Sequence, residues 1–170
     1  MKDRPLDDAN REAMLGALEA MSTFLQERFA ELSAAEAVAE GPDGTFSPVE
    51  HCWHLADLER EGFAVRIRRL LEEEEPSLPD FDGARVARER HYRSRSLSEG
   101  LAAFRSARLA NLERLRGVRT EQWSRAGTQE SVGRVMVCDL PRMMAEHDAA
   151  HRLEVDAWVA SKRRRTTSQG

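Results

Sequence analysis

Apolar residues recur along most of this chain at three- and four-residue steps, the period of amphipathic helices rather than of strands. Met14, Leu18, Met21, Leu25 and Leu32 form one stripe, predicting a first helix from about Asp8 to Ala34 that is broken by Glu40-Gly41-Pro42-Asp43-Gly44. A second helix opens where Ser47 caps, Pro48 takes the first helical position and Glu50 completes a Ser-x-x-Glu capping box. It runs to about Leu71 or Glu73, with Val49, Cys52, Trp53, Ala56, Phe63, Ile67 and Leu70 on one side. The charged stretch Glu72 to Ser96, interrupted by Pro76 and Pro79, reads as a crossover holding one short helix around Ala84 to Tyr92. A connection of that length is expected where two neighbouring helices run parallel. The third helix starts with the capping box Ser96-Leu97-Ser98-Glu99, turns Leu97, Leu101, Phe104, Leu112 and Leu115 inward, and ends at Gly117. An irregular segment with Gly127 and Gly133 follows, and nowhere does alternation predict a strand. The fourth helix begins near Cys138 or Asp139 and carries Leu140, Met143, Met144, Val155 and Trp158. The prediction is an all-α four-helix bundle over residues 1–160, with a long crossover between helices two and three and a disordered basic tail over 161–170.

Into the middle of the fourth stripe fall His147 and His151. Four residues apart on a helix, they stand about 40° apart around the axis and about 6 Å along it, so both rings can reach one ion. Buried imidazoles need partners, since an unpaired buried polar group costs a few kcal/mol. Backbone or carboxylate hydrogen bonds would serve a single histidine. An i, i+4 pair facing a third histidine on another helix favours a metal instead. That third residue is His54, in Trp53-His54-Leu55-Ala56-Asp57. It lies off the apolar stripe of its helix, beside Glu50, Asp57 and Glu61, and by periodicity alone belongs to the surface or a cleft. His51, one turn earlier, is either a fourth ligand or a neighbour that orients one. Three imidazoles suit zinc, nickel, iron or copper and leave coordination positions open, the arrangement of catalytic rather than structural sites.

Carboxylates nearby have divided uses. Glu50 is accounted for by the capping box, whereas Asp57 and Glu154 can orient a ligand or act as a general base. Asp148 points about 100° away from His147 around its helix. Cys52 and Cys138 read as small apolar core residues, and His91, in the charged crossover, as solvated.

Charge and composition remove several classes. A net charge of −4 and a pI near 5.8 argue against a general nucleic-acid binder. No apolar run reaches membrane-spanning length, and Met1-Lys2-Asp3-Arg4-Pro5 lacks the apolar stretch of a signal peptide. The expectation is a cytoplasmic protein acting on a small-molecule substrate, with no nucleic acid or membrane as partner. The chain has no P-loop, dinucleotide fingerprint, His-Glu-x-x-His motif or nucleophile elbow.

Taken together, two segments resemble the DinB-like superfamily of metal-binding four-helix bundles. Phe46-Ser47-Pro48-Val49-Glu50 with His54-Leu55-Ala56-Asp57 is similar to its motif at the start of helix two. Gly127 to Gly133, then Val137-Cys138-Asp139-Leu140 and His147-Asp148-x-x-His151, is similar to its closing motif. Phe46 stands where the family usually has Trp, and His51, Cys52 and Trp53 precede the ligand where smaller or aliphatic residues are frequent. The resemblance implies a divalent transition metal (zinc, nickel or iron) on His54, His147 and His151, and often a homodimer. It further implies a metalloenzyme, expected to be an S-transferase using a low-molecular-weight thiol in detoxification or stress response. The alternatives are a metal-dependent hydrolase, with Glu50, Asp57 or Glu154 as base, and a non-enzymatic metal-stabilised binding module.

Overall fold

The apolar stripes come together as a helical bundle in the computed structural model, which describes residues 8–167. Met1 to Asp7, which include the N-terminal Met1 to Pro5, and Ser168 to Gly170 lie outside the described residues. Helix α1 spans Asp8–Phe29, and the short α2 (Ala34–Ala37) follows. The second bundle helix is α3 (Pro48–Asp57) continued by α4 (Ala64–Glu72). Within the crossover lie β1 (Ser77–Leu78) and α5 (Gly83–Glu89). Helix α6 spans Leu97–Arg116, β2 and β3 are Ala126–Gln129 and Gly133–Met136, and α7 spans Leu140–Thr167. No helix among the described residues is long and apolar enough to cross a membrane.

The first capping box forms as the sequence predicts, and of the second only the Ser96 side-chain cap forms. The Ser47 N–H and hydroxyl donate to Glu50 Oε2 at 2.9 and 2.7 Å, and the Glu99 N–H donates to Ser96 Oγ. Gly117 closes α6 with its N–H on the Glu113 carbonyl. Pairings across the bundle fix its directions. Trp53 donates to the Ser96 carbonyl and Glu59 meets Arg108, so the second helix and α6 run parallel, as the long crossover requires. Phe29 packs edge-on to Trp158 and Arg152 lies over Phe24, so α1 and α7 also run parallel. Arg116 meets Glu12 and Arg108 reaches the Leu18 carbonyl, which sets the two pairs antiparallel to each other.

Several expectations are corrected. Helix α1 stops at Phe29 rather than Ala34, because Ser33 and Glu36 form a capping box of their own and restart the chain as α2. The segments read as irregular build a small sheet in the order β1-β2-β3. Strand β1 pairs parallel to β2, with Ser77 opposite Thr128, and β3 pairs antiparallel to β2, with Ala126 opposite Met136. Strands of two to four residues are too short to show a two-residue period, and their pairing joins segments about fifty residues apart. Gly127 permits that pairing, since a Cβ there would overlap the Pro76 carbonyl. The basic stretch from Ser161 is not irregular as far as Thr167, because α7 continues through it and Lys162 pairs with Glu36 at 2.9 Å.

The core divides into two apolar clusters. Along α6 they part between Phe104 and Leu112, and along α7 between Met144 and Val155. Arg108, Asn111, Asp148 and His151 occupy that gap, all buried. Glu59 joins them from a π-helical stretch, Leu58–Phe63, that interrupts the second helix. The π turn inserts a residue into the helical phase. It turns Glu59, 1% exposed, inward between Arg108 Nε at 2.9 Å and Asn111 Nδ2 at 2.7 Å.

Candidate metal centre

Antiparallel packing of α3 against α7 brings four histidines together. His54 Nε2 lies 3.4 Å from His147 Nε2, and His51 Nδ1 lies 2.9 Å from His151 Nδ1. One nitrogen from each of His54, His147 and His151 falls within 4.8 Å of the others, and the ring centroids are 4.5 to 5.4 Å apart. His51, His151 and Glu154 form a second such group, with Glu154 Oε2 3.8 Å from both His51 Nε2 and His151 Nδ1.

Burial dominates the electrostatics. It pushes His51 down to about 4 and His54 to about 3, the latter helped by the neighbouring imidazoles. His147 and His151 are pushed down for the same reason. All four rings are therefore neutral near pH 7 and offer lone pairs, the form in which imidazole ligates a metal.

The donor set fits a divalent transition ion. Two nitrogens bound at about 2.0–2.1 Å with tetrahedral angles stand about 3.3–3.4 Å apart, and the His54–His147 separation of 3.4 Å matches. Neutral imidazoles facing each other through Nε2 have at most one proton between them, whereas a cation satisfies both lone pairs. No carboxylate joins the three nitrogens in that group, so the donors are all nitrogen and favour zinc, nickel or iron over magnesium or calcium.

His54 is buried, at 8% exposed, and not on the surface where its helical phase places it. Phe46 and Phe81 pack on its ring with centroids 5.3 and 6.0 Å away, and the crossover covers the remaining side. Gly83, at the start of α5, makes this approach possible, since a Cβ there would overlap the His54 ring. Both aromatic neighbours lie outside α3, which is why a helical wheel misses the burial.

The three carboxylate candidates separate. Glu50 Oε2 accepts from Ser47 and lies 3.0 Å from Arg93, so its role is in the cap. Asp57 Oδ2 accepts from Tyr92 Oη and Arg90 Nη1, both at 2.6 Å, and thereby ties the crossover to α3. Only Glu154 stands beside the histidines, partly exposed and with its carboxyl pushed up by burial. Cys52 is fully buried with its thiol pushed up by desolvation, which removes it as a nucleophile. Asp148 turns away from the imidazoles to take two hydrogen bonds from Arg108, at 2.7 and 2.8 Å.

Sequence reasoning missed the wall of the site. A cavity of about 390 Å³ opens beside His54 and His147, bounded by Arg66, Phe81, Gln129, Ser131 and Met143 among others. Arg66 sits in an ordinary charged stretch of α4, and Gln129 on a strand that periodicity does not predict. Neither carries a local signal.

Comparison with known proteins identifies the family and the fold. The family profile of the DinB superfamily matches residues 9–155. No curated protein sequence matches the chain. Among solved structures, the fold is similar to that of YfiT from Bacillus subtilis, described as a probable metal-dependent hydrolase with an unusual four-helix bundle topology. The TM-score is 0.81 at 16% identity, over 98% of this chain and 94% of that one. It is also similar to a mycothiol-dependent maleylpyruvate isomerase, with a TM-score of 0.68 at 13% identity. That match covers 86% of this chain and 61% of the isomerase, so this chain spans about three-fifths of the larger protein. At these identities both likenesses speak to fold alone.

Proposed function

The chain belongs to the DinB superfamily, and from that premise we propose that it is a metal-dependent hydrolase whose divalent ion is held by His54, His147 and His151. The observation that carries the reading is the convergence of three neutral imidazole nitrogens, two on buried residues and that of His147 half-buried, within 4.8 Å at the edge of a cavity. The chemistry supplied by such an ion is Lewis acidity, which polarises a carbonyl or phosphoryl oxygen and acidifies water. Everything else falls to the chain. His51 engages His151 Nδ1, which leaves Nε2 of His151 free for the ion and fixes the ring's orientation and tautomer. Glu154, 3.8 Å from His151 Nδ1 and His51 Nε2, lies on the far side of that pair from the ion and serves to hold the two rings in place. Phe46, Phe81 and Met143 hold water away from the imidazoles. A cavity of about 390 Å³ accepts a small molecule rather than a polymer. The reading retains a cytoplasmic homodimer, whose oligomeric state light scattering would give.

The second reading is a thiol-dependent reaction, the kind named for the similar mycothiol-dependent isomerase. One experiment separates the two. Purified protein is loaded with zinc, nickel or iron(II), its metal content measured, and turnover of activated esters and amides followed with and without low-molecular-weight thiols. The proposal expects about one ion per chain, less than a tenth of that in His147→Ala, and turnover that no thiol accelerates. Turnover only with a thiol would move the assignment to transferase. Failure to retain an ion would end both readings.

A further inference from the structure

Arg66 is a buried cation with no ion-pair partner within 4.0 Å among the described residues. Its side chain projects from α4 and the residue is 5% exposed. Its one hydrogen bond among the described residues is long, Nη2 to the Pro79 carbonyl at 3.4 Å, and its guanidinium lies 5.2 Å from the Phe63 ring centroid. Arg66 Nε has no partner, and among the described residues no carboxylate comes within 4.0 Å of the guanidinium. Asp80 attracts it from farther off. That carboxylate, which lines the same cavity, is engaged through Oδ1, which accepts from Gln129 Nε2 at 2.8 Å and from Ser131 Oγ at 2.7 Å. Gln129 is also 5% exposed, and its Oε1 is a second buried atom without a partner. Both residues line the cavity whose other wall is His54 and His147.

Unpaired buried charge is costly, and folded proteins carry it where a ligand completes the pair. Guanidinium is the group best shaped to take a carboxylate or phosphate through two parallel N–H bonds. The orphaned Gln129 Oε1 adds a demand for a neutral donor. Resting on the hydrolase reading above, we infer that Arg66 and Gln129 form the recognition site for the substrate. That substrate is a small molecule bearing an anionic oxygen group for Arg66 and an N–H or O–H for Gln129. Its hydrolysable bond lies toward His54 and His147.

Hydroxamates test this without turnover, because they ligate the ion and perturb the visible spectrum of the cobalt(II)-loaded protein. Three probes are titrated: butyrohydroxamate, which is neutral, the monohydroxamate of succinate, and its phosphonate counterpart. The wild type is expected to bind at least one anionic probe about 10- to 100-fold more tightly than the neutral one, the range of a charge-assisted hydrogen bond. The preferred anion tells carboxylate from phosphate. Arg66→Met should erase the preference while leaving the affinity for butyrohydroxamate and the cobalt spectrum within twofold, which also shows that the variant is folded. Arg66→Lys should retain part of the preference, and Gln129→Leu should weaken all three probes. Equal binding of the three by the wild type, or a preference surviving Arg66→Met, overturns the inference. An anionic preference lost in Arg66→Met, in a protein that hydrolyses nothing, would sustain it and refute the hydrolase reading alone.

Discussion

Arg108→Met should cost this protein about 5 kcal/mol, and the buried charge network gives the reason. Arg108 is 1% exposed and donates Nε to Glu59, Nη1 and Nη2 to Asp148, and Nη1 also to the Leu18 carbonyl. Removing one member of a buried ion pair costs about 3–5 kcal/mol because the remaining charge is stranded out of water. Here two carboxylates are stranded at once, so the upper end applies. Burial already pushes the Glu59 carboxyl up, against the pull of Arg108 and the Asn111 amide. A loss of that size is a large part of the roughly 5–15 kcal/mol that holds a domain folded. With a urea slope of about 2 kcal/mol/M, the unfolding midpoint should fall by about 2.5 M. The melting temperature should fall by about 10–20 °C. Replacing Arg108 by Met, Glu59 by Leu and Asp148 by Leu together should recover most of the loss, since an apolar set of similar volume avoids the desolvation cost. The pH dependence has a definite sign. In Arg108→Met burial holds the Glu59 carboxyl still further above its unfolded value, so the native state takes up a proton as pH falls and the deficit narrows between the raised folded value and the unfolded one of about 4.3. A midpoint within 0.5 M of wild type at pH 7.5, or a triple variant no better than the single one, would show that the network is not held by its charges.

Three further outcomes test the metal centre. His51→Phe should lower metal affinity about 10- to 100-fold, read by competition with a chromogenic chelator, because it removes the group that orients His151. Its far-UV spectrum should match the parent. Gly83→Ala should likewise weaken metal retention, since its Cβ would displace the His54 ring, while unfolding stays cooperative. Metal-free protein should lose stability on mild acidification. His51 and His54 titrate near 4 and 3 when folded against about 6.5 unfolded, so between those values the unfolded chain holds more protons. Stability is then complete above about pH 6.5 and falls toward pH 4. Urea midpoints equal at pH 7 and pH 5 would contradict the buried, neutral state of these rings.

The helices, their caps and the His147–His151 pair were legible in the sequence because each rests on residues within one or two turns of each other. Ser47 with Glu50 and Ser96 with Glu99 fix two helix starts locally, and an i, i+4 spacing fixes the face that two rings share. The parallel run of the second helix and α6 followed from the length of the crossover alone. What periodicity could not reach was decided by contacts between distant segments. The π turn at Leu58–Phe63 shifts the helical phase, so Glu59 enters the core to meet Arg108, 49 residues away. His54 looks polar on a helical wheel and becomes a buried member of the cluster only when Phe46, Phe81 and Gly83 close over it. The three short strands exist because of pairing partners, not alternation. Arg66 is one arginine among many until packing buries it beside the imidazoles with no carboxylate of the described residues within 4.0 Å. Local hydrogen bonds and helical period specify elements from the chain itself, whereas desolvation, which sets both the neutral histidines and the unpaired cation, exists only once those elements have packed.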